Sequence, residues 1–508
     1  MNLSSVAATA PAPVANPALT RGPIHSDAKP VPGVDVVGGA QGGITTETLP
    51  NGVRLIIAER PGAKSTKVQV GIGAGSLQDP AGRLGMAHLL EHLAFEGSPK
   101  HSSTEQEAIR GRLGNMWNAY TDRDSVVYYG ILPAKSAVTG AALLTDMFQH
   151  PATTGKRFQQ ELAAVKNEMV YWGGSVGEES WNIAERMVFG DSSATNNVIG
   201  TRKTVDSVTS KDLQDYHKQY FVGRNTVALV EGDSKSLALD TLRRELGKLP
   251  AGARVDNTDQ QSAPVVKGQA LQIVNDPSSD TVSIDVIIPV SADVLKTLKT
   301  PGKLVTASLN DMLFNRLRRE GRMTYGASAE LRQESPGTYS IAISTNVAKR
   351  FAKEAMAELM TTLTDAQDGF GPKTLDFHKQ QVLSRLKAAE QAAPPSISDR
   401  AEEAFQGALT DQGISVPSET AADTSAKQRK AINAVTPASF AADMAQLINL
   451  DDMKILAMGA LADGGSDLRA GLRAGGIDTK SLTMNPVDLS MYQDMGLKVT
   501  KETVPPIS

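Results

Sequence analysis

The stretch Gly85-Met-Ala-His88-Leu-Leu-Glu91-His92-Leu-Ala-Phe95 constrains this chain more than any other. It contains strong helix formers and no proline, so its own propensities favour a helix. Positions four apart in an α-helix lie about one turn apart on one side. His88 and His92 therefore share a face, and Glu91 lies beside them. Two neutral imidazoles at that spacing can hold one Zn²⁺, with the carboxylate in reach of a water on the metal. The alternative is an amphipathic helix whose two histidines are ordinary polar positions.

Two histidines do not complete a zinc site, which in catalytic centres takes three protein ligands. The chain has no cysteine, so any further ligand is a histidine or a carboxylate. The run Arg157-Phe-Gln-Gln-Glu161-Leu-Ala-Ala-Val-Lys-Asn-Glu168-Met-Val-Tyr-Trp172 reads as a second helix. Glu161 and Glu168 stand seven apart on it, close to two turns, which sets both carboxylates on one face about 10 Å apart along the axis. One of them can bind metal while the other assists. Such pairs are also common on solvated helix faces.

The segment Gly85 to Ser98, GMAHLLEHLAFEGS, resembles the signature of the pitrilysin, insulinase and mitochondrial-processing-peptidase family of zinc peptidases. Its H-x-x-E-H order is the reverse of the commoner H-E-x-x-H motif. In that family a glutamate well beyond the second histidine is the third ligand, and Glu168, 76 positions after His92, matches its spacing. The resemblance implies His88, His92 and Glu168 as Zn²⁺ ligands, Glu91 as general base and Glu161 as a second carboxylate of the active site. Zinc would acidify a water and polarise the scissile carbonyl while Glu91 accepts the proton.

Further matches extend the resemblance. Asn118-Ala119-Tyr-Thr, followed by Val126-Val-Tyr-Tyr129, is similar to the family's N-A-x-T segment and the strand after it. This implies that Asn118 and Ala119 contact the backbone of a bound peptide. On its own residues the same stretch is a turn feeding a β-strand. Leu317-Arg318-Arg-Glu-Gly-Arg322-Met-Thr-Tyr325 is similar to a segment in which an arginine and a tyrosine bind substrate, a role it implies for Arg318 and Tyr325. Here Arg322 stands where the family has glycine, Arg319 stands where it has glutamate, and the glycine comes one position early, which points to a different turn. A basic helix end followed by a strand is the alternative reading.

Composition bounds the rest. At 508 residues the chain is too long for one ordinary core, and 40% hydrophobic residues suit a globular protein. A net charge of −4 gives no reason to expect nucleic acid. No apolar run approaches the ~18–20 residues of a membrane-spanning helix.

Residues 1–43, rich in Ala, Pro and Gly, read as a flexible tail. Ala8-Thr9-Ala10 is like an export cleavage site without the apolar region that precedes one, so a periplasmic location is expected, with a cytoplasmic one as the alternative. Residues 44–250 form the metal-binding domain, opening on the Asn51-Gly52 turn and the strand after it. The polar stretch 251–267 reads as a linker. In the second domain, 268–465, Gln269 to Pro289 reads as strand, Lys303 to Arg319 as helix, and Glu330 to Asn346 as a strand pair around Ser335-Pro-Gly-Thr338. Met453 to Gly459 parallels Thr226 to Gly232, each a final apolar strand after a helix. The order of elements thus suggests a repeat in which 303–319, which lacks histidine, takes the place of the metal helix. Residues 466–508 read as a C-terminal tail.

The fold class expected is α+β: two similar domains, each a mixed, mostly antiparallel sheet with helices on one face. The resemblance implies that the chain is one half of a clamshell. It also implies an endopeptidase acting on unstructured peptides in an enclosed chamber formed by two such halves. The partner is then an identical chain or a homologous subunit. A metal-binding scaffold, or a subunit inactive alone, is the alternative.

Overall fold

The computed structural model describes residues 36–39, 42–114, 116–172, 176–190, 197–255, 265–275, 279–335, 338–391, 396–410, 421–461 and 465–479. Its first sheet contains β1 (Val36–Gly39), β2 (Gly42–Thr48), β3 (Arg54–Glu59), β4 (Ser65–Ile72), β5 (Trp117–Thr121), β6 (Val126–Pro133) and β7 (Thr226–Gly232). They lie in the order β1-β2-β3-β7-β4-β6-β5. The second sheet contains β8 (Ala270–Asn275), β9 (Thr281–Ser291), β10 (Thr324–Ser335), β11 (Thr338–Ala348) and β12 (Lys454–Gly459), in the order β10-β11-β9-β12-β8. Both are mixed sheets. The closing strand of each runs parallel to one neighbour, β7 to β3 and β12 to β8, and antiparallel to the other, β4 and β9. The expected repeat of final strands is present. Every residue of β7 and β12 is buried, as befits a central strand covered on both faces.

Local chemistry explains several joins. Asn51-Gly52 turns β2 into β3, with Gly52 at φ 94°, a value that a side chain resists. Gly52 N–H bonds Leu49 C=O at 2.8 Å, and Leu49 N–H bonds Val53 C=O at 2.8 Å. The single strand expected over Gln269 to Pro289 is two strands, β8 and β9. Asn275-Asp-Pro-Ser-Ser-Asp280, turn-forming residues, divide them. The helix expected at 303–319 begins as Gly302–Leu313 and widens into π-type turns over Phe314–Glu320.

Helices α1 (Met86–Leu93), α2 (Ser103–Arg112), α3 (Ala137–Gln149), α4 (Gly155–Trp172) and α5 (Val176–Phe189) lie between β4 and β7. Leu89, Leu90 and Leu93 of α1, Leu144 and Phe148 of α3, and Leu162 and Val165 of α4 share one core with Val68, Val70 and Ile72 of β4. The other face of each sheet is covered by a helix from the opposite half. Ala401, Ala404, Phe405 and Ala408 of the helix Ile397–Leu409 pack on Ile44, Ile56, Val127 and Leu229 of the first sheet. In return, Ile183, Ala184, Met187 and Val188 of α5 pack on Ala270, Val274, Ile287, Leu456 and Met458 of the second. Within residues 33–508 the described residues form one unit.

Two expected tails are partly structured. Val36–Gly39 pairs antiparallel with Gly42–Thr45, its β-branched valines suiting a strand. Ser466–Ala474 is a helix whose Leu468 and Leu472, one turn apart, are buried in the second core. Residues 1–35, 480–508, 256–264 of the expected linker and 336–337 of the expected turn lie outside the described residues. No helix among the described residues is long and apolar enough to cross a membrane.

Candidate metal and catalytic centre

α1 is apolar on one side, with Met86, Ala87, Leu89, Leu90 and Leu93 buried, so His88, Glu91 and His92 face the other way. Its first turn is held by Asp79, whose carboxylate accepts from the backbone N–H groups of Gly85, Met86 and Ala87 at 2.7, 3.1 and 3.1 Å. This buried carboxylate satisfies three donors that a helix start leaves unpaired.

α4 packs beside α1 and brings its two glutamates to the histidines. Glu168 Oε2 lies 3.8 Å from His88 Nε2 and 3.3 Å from His92 Nε2. Glu161 Oε2 lies 3.1 Å from His92 Nδ1. The candidate donor atoms of His88, His92 and Glu168 all fall within 4.8 Å of one another. Two imidazoles and a carboxylate converging in this way fit Zn²⁺. The contact of Glu161 with the far nitrogen of His92 is the carboxylate–histidine arrangement that fixes a ligand's orientation and tautomer.

The electrostatics fit a cation. Burial, with His92 beside it, holds the His88 imidazole down to about 4 against the pull of Glu168, leaving it neutral as a ligand must be. Burial acts to lower His92 too, but hydrogen bonds to Glu161 and Glu168 and the nearby Glu91 outweigh it and lift His92 to about 10. The cluster thus demands positive charge. Burial pushes the Glu91 carboxyl above its ordinary range, and the Thr121 hydroxyl and His92 pull it back only in part. Thr121 Oγ1 donates to Glu91 Oε2 at 2.7 Å.

Thr121 ends β5, the outer strand of its sheet, so the centre lies beside an open strand edge. Asn118 and Ala119 belong to that strand. Asn118 is exposed, and Ala119 is turned into the core. Arg318 and Tyr325 come together elsewhere, at the edge strand β10 of the second sheet. The Arg318 guanidinium lies over the Tyr325 ring at 4.9 Å and donates to Thr324 C=O at 3.2 Å. Tyr325 is 92% exposed. Among the described residues neither bonds to the His88–His92–Glu168 cluster. Arg322, where a glycine was expected, has φ 52°. The turn is left-handed at this position and an arginine bears it.

Two residues of the centre escape a sequence reading. Thr121 lies 30 positions from Glu91, and only its place three residues after Asn118 hints at it. Asp79 caps from six residues before Gly85, outside the usual capping spacing.

Known proteins resemble this chain in sequence and in fold. The family described as Insulinase (Peptidase family M16) matches residues 54–176, and the Peptidase M16 inactive domain matches residues 207–382. An uncharacterized zinc protease of Bacillus subtilis, YmxG, is 22% identical over 69% of this chain and 85% of its own length. The mitochondrial-processing peptidase subunit beta of Blastocladiella emersonii is 26% identical over 40% of this chain, and the match spans only 44% of that subunit. In fold, the chain resembles the first half of the periplasmic protease PqqL from Escherichia coli. The TM-score is 0.64 at 20% identity, covering 90% of this chain and 97% of that one. Against whole PqqL the match covers 52% of the larger chain with a TM-score of 0.66, so the fold is that of one half of a clamshell. The chain belongs to the insulinase family of peptidases, family M16.

Proposed function

We propose that this chain is a zinc endopeptidase that hydrolyses unstructured peptides. The observation that carries the reading is the convergence of His88, His92 and Glu168 within 4.8 Å, beside Glu91 and an open strand edge. His88, His92 and Glu168 would hold Zn²⁺, which when bound supplies a Lewis acid for the scissile carbonyl and lowers the pKa of water. Glu91, its basicity raised by burial, accepts the proton of the attacking water and delivers it to the leaving amine. Glu161 orients His92. A peptide adding to β5 as an extra strand contacts Asn118 and Ala119 through its backbone, which requires an extended, unfolded segment. Arg318 and Tyr325 present a cation and a phenol for further substrate contact from the second half.

As one half of a clamshell, the chain closes its chamber by pairing with a second copy or with a homologous subunit. Its likeness to a protein named as a zinc protease supports the self-sufficient enzyme, and its likeness to proteins named as subunit beta leaves a subunit inactive alone as the alternative. Likeness to a periplasmic protease supports a periplasmic location. The test is cleavage of a quenched unstructured peptide by the zinc-loaded chain. Cleavage that a chelator abolishes supports the self-sufficient enzyme. Silence of the zinc-loaded chain, reversed by a homologous subunit, supports the heterodimer. A chain that binds no zinc overturns both.

A further inference from the structure

The turn between β5 and β6 is gripped from two sides. On one side, Ser76 N–H donates to Asp122 C=O at 3.2 Å and Leu77 N–H to Arg123 C=O at 2.8 Å. The approach is so close that a Cβ on Gly75 would lie 2.2 Å from Asp122 C=O. On the other side, the Arg123 guanidinium pairs with the Glu185 carboxylate of α5. Nη1 donates to Oε1 at 2.9 Å and Nη2 donates to Oε2. The Glu185 side chain is only 4% exposed, which separates this pair from the solvated surface pairs that contribute little. A two-pronged arginine–carboxylate pair fixes orientation as well as distance.

What Arg123 grips belongs to the other half of the molecule. α5 is seated by Ile183, Ala184, Met187 and Val188 on the second sheet. Its end is tied to the segment that leads into β8, since Val266 N–H donates to Val188 C=O at 2.8 Å. Thr121, which holds Glu91, lies two residues before Arg123. A continuous path thus runs from the second sheet through α5, Glu185, Arg123 and Thr121 to Glu91.

We infer that Arg123 and Glu185 are positioning residues, through which the metal-free half of the chain sets the position of Glu91. The catalytic part of this inference rests on the peptidase reading above, while the structural part does not. It gives the second half a part in the reaction beyond shaping a chamber. Among the described residues neither bonds to His88, His92 or Glu168, so zinc content and kcat measured together separate base alignment from metal binding.

The test replaces the pair together, Arg123→Leu with Glu185→Leu, because removing Arg123 alone takes the guanidinium from a buried carboxylate. Zinc per chain, kcat and KM on a quenched peptide, and hydrogen exchange of the β5 amides are measured. The expected result is zinc retained, KM unchanged, kcat lower by about 10- to 100-fold as a misplaced group allows, and faster exchange over residues 117–121. Unchanged kcat and exchange overturn the inference, as does a loss of kcat that only follows a loss of zinc. If the double variant does not fold, Arg123→Lys, which keeps the charge and loses the fork, takes its place. A lower kcat with zinc retained then supports the clasp, and an unchanged kcat overturns it. If the unmodified zinc-loaded chain cleaves nothing even with a homologous subunit, the peptidase reading fails. The exchange of β5 in the variant then decides the clasp alone: faster exchange supports it, and unchanged exchange overturns it.

Discussion

The two halves of this chain share a scaffold and differ in what it carries. The five strands β3-β7-β4-β6-β5 of the first sheet correspond in order and direction to β8-β12-β9-β11-β10 of the second. The helices after β6 and β11 correspond too, α4 to Pro372–Gln391 and α5 to Ile397–Leu409, and the last two each cross to the opposite sheet. The seventh residue of α4 is Glu161, and the seventh of Pro372–Gln391 is His378. The fourteenth residues are Glu168 and Arg385. The helix Gly302–Leu313 has no histidine. In the second half, Asp311 meets His378 at 3.2 Å and Asn315 at 3.0 Å, an acid whose partners are an imidazole and an amide. The first half gathers three carboxylates around two imidazoles and so demands a cation. The fold tolerates either arrangement, which is why function has to be argued from the side chains.

The largest expected effect tests the side-chain difference directly. Glu91→Gln should lower kcat by about a thousandfold while zinc stays bound, since it removes only the proton acceptor. Zinc content and turnover measured together check this, and persistent cleavage excludes the mechanism. Glu161→Gln should weaken zinc binding by about 10- to 100-fold, the usual loss for an outer carboxylate, and a competition titration with a chelator reads it. If affinity is unchanged, His92 does not depend on Glu161. In the second half, His378→Leu should leave zinc and kcat untouched and cost about 1–3 kcal/mol, because it takes a hydrogen-bond partner from the Asp311 carboxylate. Urea unfolding measures that cost. A loss of activity at constant stability would show that the second half carries more chemistry than its pairing suggests.

The first half's centre was legible to the extent that it is local. His88, Glu91 and His92 fall on one face of one helix, and helical spacing alone predicts that. The Asn51-Gly52 turn and the closing strands β7 and β12 were legible for the same reason. Which surface α5 and Ile397–Leu409 cover was not legible, because an apolar face names no partner. Ala184 and Phe405 belong to helices of their own halves, yet each packs on the other half's sheet. Thr121 and Asp79 were hidden because their bonds to α1 depend on how strands and loops close. The helix Ser466–Ala474 was missed because one short amphipathic stretch among polar residues resembles a tail until its neighbours are in place.

The smallest expected effect concerns the turn before β10 in the second half. Arg322 sits at φ 52°, a region that costs a residue with a Cβ about 1–3 kcal/mol. Met323 N–H nevertheless reaches back to Leu317 C=O at 2.9 Å, and both side chains are buried, so tertiary contacts enforce the turn whatever occupies the exit. Glycine there removes the strain but adds freedom to the unfolded chain, which offsets about 0.5–1 kcal/mol. Arg322→Gly should therefore raise stability by about 1 kcal/mol, read as a higher urea midpoint at an unchanged slope. If the strain is retained for function, the more stable variant should bind peptide less well, because Arg322 lies between the segment of Arg318 and the exposed Tyr325. If KM is unchanged as stability rises, the arginine is a tolerated departure and the turn alone matters.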